Sequence, residues 1–241
     1  MKQSASSTLF ESSSGKISKL DFIHALEKTG IEKNDVVFVH TDISTFGRLA
    51  QTDRNTLLSS LVDAFKAVVG KEGTIIMPTF SYSFDKNEAF DPISTKSSVG
   101  VLSDFFLRQK DTKRTDHPSH SAAIWGKEKR YFTEIGNDTF DDDSIFGKAY
   151  QKNAKLVFFG TPLSKACTFI HYIEQKKRVP YRYNRAYTTK ITKNGKTIEN
   201  KILFYYKYSY FYTDMRALEN SARKTGILRE EKIGDGLIQV V

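Results

Sequence analysis

Five histidines carry most of the proton-transfer capacity that this chain has near neutral pH. Four of them, His40, His117, His120 and His171, stand at strand ends or in polar, motif-like stretches. The fifth, His24, falls inside an amphipathic helical pattern and reads as structural. His171 lies in the run Thr168-Phe169-Ile170-His171-Tyr172-Ile173-Glu174, where a helix brings positions i and i+3 onto one face. Glu174 can then orient or charge the imidazole; the other reading is a helix histidine satisfied by its surroundings. Cys167, just upstream, offers a cysteine–histidine couple for covalent acyl transfer, against the plainer role of a small core residue. His117-Pro118-Ser119-His120 resembles half a metal site. Pro118 breaks any helix there and no third ligand of like kind stands nearby, so loop hydrogen bonding or ligand contact is preferred and no metal is expected.

The elements that must hold these residues follow from hydrophobic periodicity. Residues 3–14 are Ser-rich, and 1–16 read as a flexible N-terminal arm, followed by a helix over 17–28 that Gly30 closes. Residues 36–39 form a short apolar run, a buried strand that stops at His40-Thr41-Asp42, so a loop starts at a strand end. Thr52 or Asp53 caps a helix marked by Leu57, Leu58, Leu61, Val62, Phe65 and Val69. A second buried strand over 74–77 ends at Pro78, which opens a long polar loop over 79–98. Further along, the pattern predicts helices over 99–108 and 168–177 and strands over 121–125 and 155–159. Alternation on either side of Asn194-Gly195 predicts a hairpin with a type I′ turn. The aromatic-dense stretch 204–212 reads as core; a last helix is expected over 215–224 and a strand over 237–241, with a closing helix to follow. This mixture predicts an α/β fold, a mixed β-sheet flanked by helices, in a single domain over 17–241.

The 241 residues are 39% hydrophobic and 27% charged, which excludes wholesale disorder, and no apolar run is long enough to span a bilayer. One cysteine and no apolar signal core near the start fit a reducing cytoplasm. The net charge of +9 implies an anionic partner without saying which. Phosphate-loop, dinucleotide-binding and nucleophile-elbow motifs are absent.

Five blocks in order carry a family resemblance: His40-Thr41-Asp42-Ile43-Ser44-Thr45-Phe46-Gly47, Glu72-Gly73-Thr74-Ile75-Ile76-Met77-Pro78-Thr79-Phe80, Ser98-Val99-Gly100-Val101-Leu102, Arg114-Thr115-Asp116-His117-Pro118-Ser119-His120-Ser121, and 168–174. Together they resemble the aminoglycoside 3-N-acetyltransferase family over about residues 20–185. The resemblance implies that family's α/β fold, distinct from the GNAT fold, and acetyl-CoA or another acyl-CoA as co-substrate. By similarity the pantetheine and phosphate channel is lined by Thr41, Ser44, Gly47, Thr79, Ser98, Gly100, His117, Ser119 and His120. His171 matches the family's general base. The acidic or amide residue that family members carry shortly before this histidine is replaced here by Ser164-Lys165-Ala166-Cys167, which leaves Glu174 and Asp214 as candidate partners.

The chemistry agrees with this resemblance. Amide formation from a thioester needs a group titrating near neutrality to accept the amine proton, and strand-end loops and a helix start present N–H groups to phosphate or to a developing oxyanion. The implied function is acyl-CoA-dependent N-acylation of an amino sugar or aminoglycoside by direct transfer. The strong positive charge favours a phosphorylated or nucleotide-linked amino sugar. Ping-pong transfer through Cys167 and a nucleic-acid-binding module built on the basic clusters and the 204–212 aromatics are the alternatives. No nucleic-acid partner and no membrane span are expected, and a homo-oligomer is compatible with the sequence.

Overall fold

A computed structural model describes residues 7–86 and 88–241. The chain divides into two compact units that interleave along the sequence: Met1–Ile75, Lys155–Ala166 and Asp214–Val241 form the first, and Ile76–Ala154 with Cys167–Thr213 form the second.

The first unit holds a mixed sheet. Strands Val36–Thr41 and Lys155–Phe159 run parallel. Gly236–Val240 pairs antiparallel with Lys155–Phe159, and Arg229–Ile233 pairs antiparallel with Gly236–Val240. Val37, Phe38 and Val39 are wholly buried, as a continuous apolar run in a covered sheet must be. Helices Lys19–Lys28 and Arg54–Val69 supply the apolar cover. Ser18 opens the first through a capping box with Asp21, and Asp53 opens the second by accepting from the N–H groups of Asn55 and Thr56 at 2.9 and 3.0 Å. The core is aromatic: the Phe159 ring lies 4.6 Å from Phe46, 5.1 Å from Phe65 and 5.3 Å from Phe22.

The N-terminal arm differs from the sequence reading. Residues 1–6 lie outside the described residues, but Thr8–Ser12 and Gly15–Ser18 form an antiparallel hairpin, and Thr8–Ser12 also pairs with Arg48–Leu49. Only Leu9 and Phe10 interrupt the polar run, and both are buried. Phe10 packs 5.9 Å from Phe22 and 6.0 Å from Phe46, and with buried Leu9 and Ile17 it holds a segment that composition marks as loose. The same hairpin meets the far end of the chain, where Ser13 N–H donates to Asp235 Oδ1 at 3.0 Å.

The second unit is organised by the long hairpin Arg182–Lys193 and Lys196–Lys207. Its turn has Asn194 and Gly195 at φ 51° and 73°, the paired left-handed conformations that a type I′ turn requires. The unit also holds the short helices Val101–Leu107, Lys129–Thr133, Ile145–Gln151 and Ile170–Lys176. The helix predicted from 99 starts later, after Gly100 at φ 71°. The 204–212 aromatics do not form one core block: Tyr205 is buried, whereas Tyr210 and Tyr212 are 77% and 82% exposed. Among the described residues no helix is long and apolar enough to cross a membrane.

Replacing Phe159 by Ala removes the ring that three others share, and should destabilise the protein by about 3–5 kcal/mol. A fall in the urea midpoint at unchanged slope would show it; an unchanged midpoint would mean the cluster does not hold the sheet.

Candidate active site

The helix Ile170–Lys176 brings His171 and Glu174 together, with Nδ1 of the imidazole 2.9 Å from Glu174 Oε2. The carboxylate is deeply set, its side chain 5% exposed, whereas the His171 side chain is 31% exposed. Burial without partners would drive such a carboxylate to protonate. Glu174 has partners: Tyr181 Oη donates to Oε1 at 3.1 Å, and Arg182 Nε lies 2.7 Å from Oε2, an ion pair in distance though out of line for a hydrogen bond. Burial pushes the Glu174 carboxyl up, but the His171 hydrogen bond and the Arg182 charge outweigh it and hold the group below the usual carboxylate range.

Arg182 also places its Nη2 2.8 Å from His171 Nδ1. One nitrogen cannot donate to Glu174 and accept from Arg182 at once. The ionised carboxylate decides the tautomer, because Nδ1–H···O⁻ is a charge-assisted bond and the opposite choice would set an imidazole lone pair against a carboxylate oxygen. Arg182 remains anchored by Glu174 and by the Tyr205 carbonyl, to which Nη1 donates at 3.1 Å. Nε2 of His171 is then the nitrogen left with the lone pair, since both contacts the ring makes run to Nδ1. Burial lowers the His171 pKa below its ordinary value; Glu174 opposes this and Arg182 reinforces it. The imidazole is therefore neutral at neutral pH.

The other expected catalytic residue, Asp214, belongs to the first unit and is engaged as the cap of helix Met215–Lys224, accepting from Arg216 N–H at 3.0 Å. In the same unit, Thr41 ends strand Val36–Thr41. Ser44 Oγ donates to Asp42 Oδ1 at 2.6 Å within a 3₁₀ turn over Ile43–Phe46. Thr45 Oγ1 donates to the Gly160 carbonyl at 2.8 Å, and a Cβ on Gly160, at φ 77°, would fall 2.1 Å from the Asp42 carbonyl oxygen. Gly47, at φ 139°, leaves no room for a Cβ either, since Glu11 O would lie 2.6 Å away. The N-terminal hairpin thus explains that glycine without any ligand.

Within the second unit, Thr79, His117, Ser119 and His120 are buried and turned to internal bonds. Thr79 receives Arg114, whose guanidinium also donates to Ser121 Oγ and to the Thr95 carbonyl. His117 Nδ1 accepts from the N–H groups of Ser119 and His120 at 3.3 and 3.1 Å. His120 Nδ1 meets Ser119 Oγ at 2.7 Å, and its ring packs against Phe80, Phe140 and Phe204. Ser98 Oγ donates to the Ser81 carbonyl at 3.3 Å, and Gly100 starts helix Val101–Leu107. Among the described residues no group of three or more His, Cys, Asp or Glu side chains is placed to hold a metal ion.

Arg182 and Tyr181, which frame the His171–Glu174 pair, were not singled out from the sequence. The one signal was Pro180, which ends the helix and returns the chain beside it.

An α/β fold with a mixed sheet, carrying a helix-borne imidazole–carboxylate pair, defines the class. Residues 38–241 match the family model described as aminoglycoside 3-N-acetyltransferase, and the chain belongs to that family. It is 27% identical over 183 residues to aminoglycoside N(3)-acetyltransferase IV from Salmonella, a match covering 75% of this chain and 66% of that enzyme. The same fold occurs in AAC-IIIb solved as a binary complex with CoASH, at TM-score 0.80 and 19% identity over 93% of this chain and 91% of that one. It also occurs in sisomicin-bound AAC-VIa, at TM-score 0.79 and 18% identity over 93% and 92%. The fold is that of these acetyltransferases and not GNAT.

Two buried imidazoles predict acid sensitivity. Burial takes the pKa of His40 and His117 down to about 4. The unfolded chain takes up those protons below its ordinary histidine value of about 6.5, so the stability that depends on neutral rings is whole above that pH and drains away between about 6.5 and 4. Melting temperature measured across this range should fall, and fall less steeply in His40→Phe; parallel profiles would show that His40 does not contribute.

Proposed function

We propose that this protein is an acyl-CoA-dependent N-acyltransferase that transfers the acyl group directly to the amino group of an amino sugar, with His171 as general base. The single observation that carries the reading is the His171–Glu174 pair: Nδ1 is tied to a buried, ionised carboxylate, which leaves the lone pair on Nε2. The family and the CoASH and sisomicin complexes of its structural relatives support the two substrate classes.

In this reaction Nε2 accepts a proton from the attacking amine as nitrogen bonds to the thioester carbonyl carbon. The carbon–sulfur bond then breaks, and the protonated imidazole returns the proton to the departing thiolate, which balances charge and regenerates the base. Glu174 stabilises the imidazolium in between, and Arg182 keeps Glu174 ionised. Thr41, Ser44, Gly47, Ser98 and Gly100 are the carrier contacts we propose from family similarity. Thr79, His117, Ser119 and His120, buried within the second unit, are proposed from the same similarity as residues that shape its loops for the carrier.

Transfer through Cys167 has less support. Burial raises the thiol pKa to about 11, which leaves almost no thiolate at neutral pH.

His171→Ala should lower kcat at least about a hundredfold while CoA affinity, read by calorimetry, stays near that of the parent. Full turnover in that variant would remove the base. In the parent, kcat/KM should lose activity only below the ordinary histidine value, because the lowered His171 pKa keeps the ring unprotonated down to that point. Cys167→Ser should retain activity and form no acyl adduct by mass spectrometry; an adduct on Cys167 in the parent would revive the two-step route.

A further inference from the structure

A second imidazole stands close to His171. The rings of His120 and His171 both lie edge-on to Phe140, at 5.1 and 5.2 Å, and His120 feels the charge of His171. His120 is boxed by Phe80, Tyr82, Phe140, Phe146 and Phe204, with ring centroids between 4.3 and 6.0 Å away. A phenyl ring would fill such a box without taking polar atoms out of water, so packing does not call for an imidazole there.

The surroundings fix the polar edges of this ring. Ser119 is wholly buried, and its Oγ lies 2.7 Å from His120 Nδ1. A buried hydroxyl is costly unless its proton finds an acceptor, and for Ser119 that acceptor is Nδ1. The hydroxyl therefore donates, Nδ1 accepts, and the N–H of the imidazole stands on Nε2. The backbone beneath is held twice over. His117 Nδ1 accepts from the N–H groups of Ser119 and His120, while the hydroxyls of Ser81 and Ser83 both donate to the Pro118 carbonyl, at 3.0 and 2.9 Å. Between those two serines Tyr82 is kept at φ 52°, a conformation tyrosine seldom adopts, with its ring edge-on to His120 at 5.5 Å. Backbone strain of this kind persists only where contacts over-determine it, and it gathers at functional sites. Burial first, then the charges of His117 and His171, hold the His120 pKa well below the ordinary histidine value. The ring is a neutral donor across the range in which His171 serves as a base.

We propose that His120 is a catalytic residue, whose Nε2–H donates a hydrogen bond to the thioester carbonyl oxygen while His171 takes the proton of the attacking amine. This rests on the acyltransfer reading and adds a second participant to it. As nitrogen bonds to the carbonyl carbon, the π electrons pass to oxygen, and the hydrogen bond from His120 strengthens as that negative charge grows. No proton leaves His120. The oxyanion then reforms the carbonyl, the carbon–sulfur bond breaks, and the thiolate takes its proton from His171. Two imidazoles about one phenyl ring apart suit this division of work, since base and donor must be separated by two hydrogen bonds of about 2.9 Å and one tetrahedral carbon.

Acetyl-CoA labelled with carbon-13 at its carbonyl is bound to the full chain, and the carbonyl stretch is read by isotope-edited infrared difference spectroscopy. In the parent the band should fall below that of free acetyl-CoA. His120→Phe, which fills the aromatic box but cannot donate, should return it to the free position with the calorimetric affinity for acetyl-CoA unchanged. His120→Gln, whose amide N–H can replace the donor, should recover part of the shift, and Ser119→Ala, which keeps the ring but frees its tautomer, should lose part of it. This reading does not depend on the acceptor; with gentamicin as acceptor, His120→Phe should also lower kcat about a hundredfold at an unchanged KM for acetyl-CoA. An unshifted band in the parent, the same band in His120→Phe, or an acidic limb of the pH profile that vanishes in His120→Phe would each overturn the proposal, the last by making His120 the base. Failure of the parent to bind acetyl-CoA would overturn the acyl-CoA reading and this role with it. A fully active His171→Ala enzyme with the band still shifted would overturn the base and leave the donor standing.

Discussion

A carboxylate held ionised where water is scarce is the constraint on which the candidate site depends. Glu174 is buried on a helix, and a buried carboxylate keeps its charge only while donors surround it. Here the imidazole one turn earlier and the phenol of Tyr181 donate to it, and the guanidinium of Arg182 adds its charge at 2.7 Å. The last two follow Pro180, at the start of the long hairpin. The hairpin therefore sets the protonation state of the helix pair as well as the fold, because Arg182 and the neighbouring Tyr181 hold Glu174 ionised against the imidazole.

That arrangement also separates two kinds of histidine. His117 and His120 are surrounded by backbone N–H groups, a serine hydroxyl and phenyl rings, and burial lowers their basicity. His171 is buried too, but a neighbouring anion opposes the loss and one edge of its ring reaches solvent. Three imidazoles in one unit thus differ in surroundings and access because of what stands beside each, which is a property of tertiary structure.

Much of this was legible along the chain. Apolar runs predicted strands over 36–39 and 155–159, of which the first continues two residues further, to Thr41, and the Asn194-Gly195 pair located the hairpin turn, because each depends on a local rule of periodicity or of backbone φ. The His171–Glu174 contact was legible for the same reason, being set by helix pitch alone. Arg182 was not, since its relation to Glu174 depends on how the chain returns after Pro180. The first strand at Thr8–Ser12 was hidden by its serines, as its order comes from distant partners: Phe22 and Phe46 for Phe10, and strand Arg48–Leu49 for its backbone. Division into two interleaved units was equally invisible, because no linker composition marks it.

Interleaving has a bearing on synthesis. The first unit needs residues from both extremes of the chain, down to the bond between Ser13 and Asp235, whereas the second lies wholly between them. As the polypeptide leaves the ribosome, the middle portion can therefore reach its fold while the earliest-made strands still await their C-terminal neighbours. Strand Val36–Thr41, rich in Val and Phe, therefore keeps an unsatisfied edge until Lys155–Phe159 has been made.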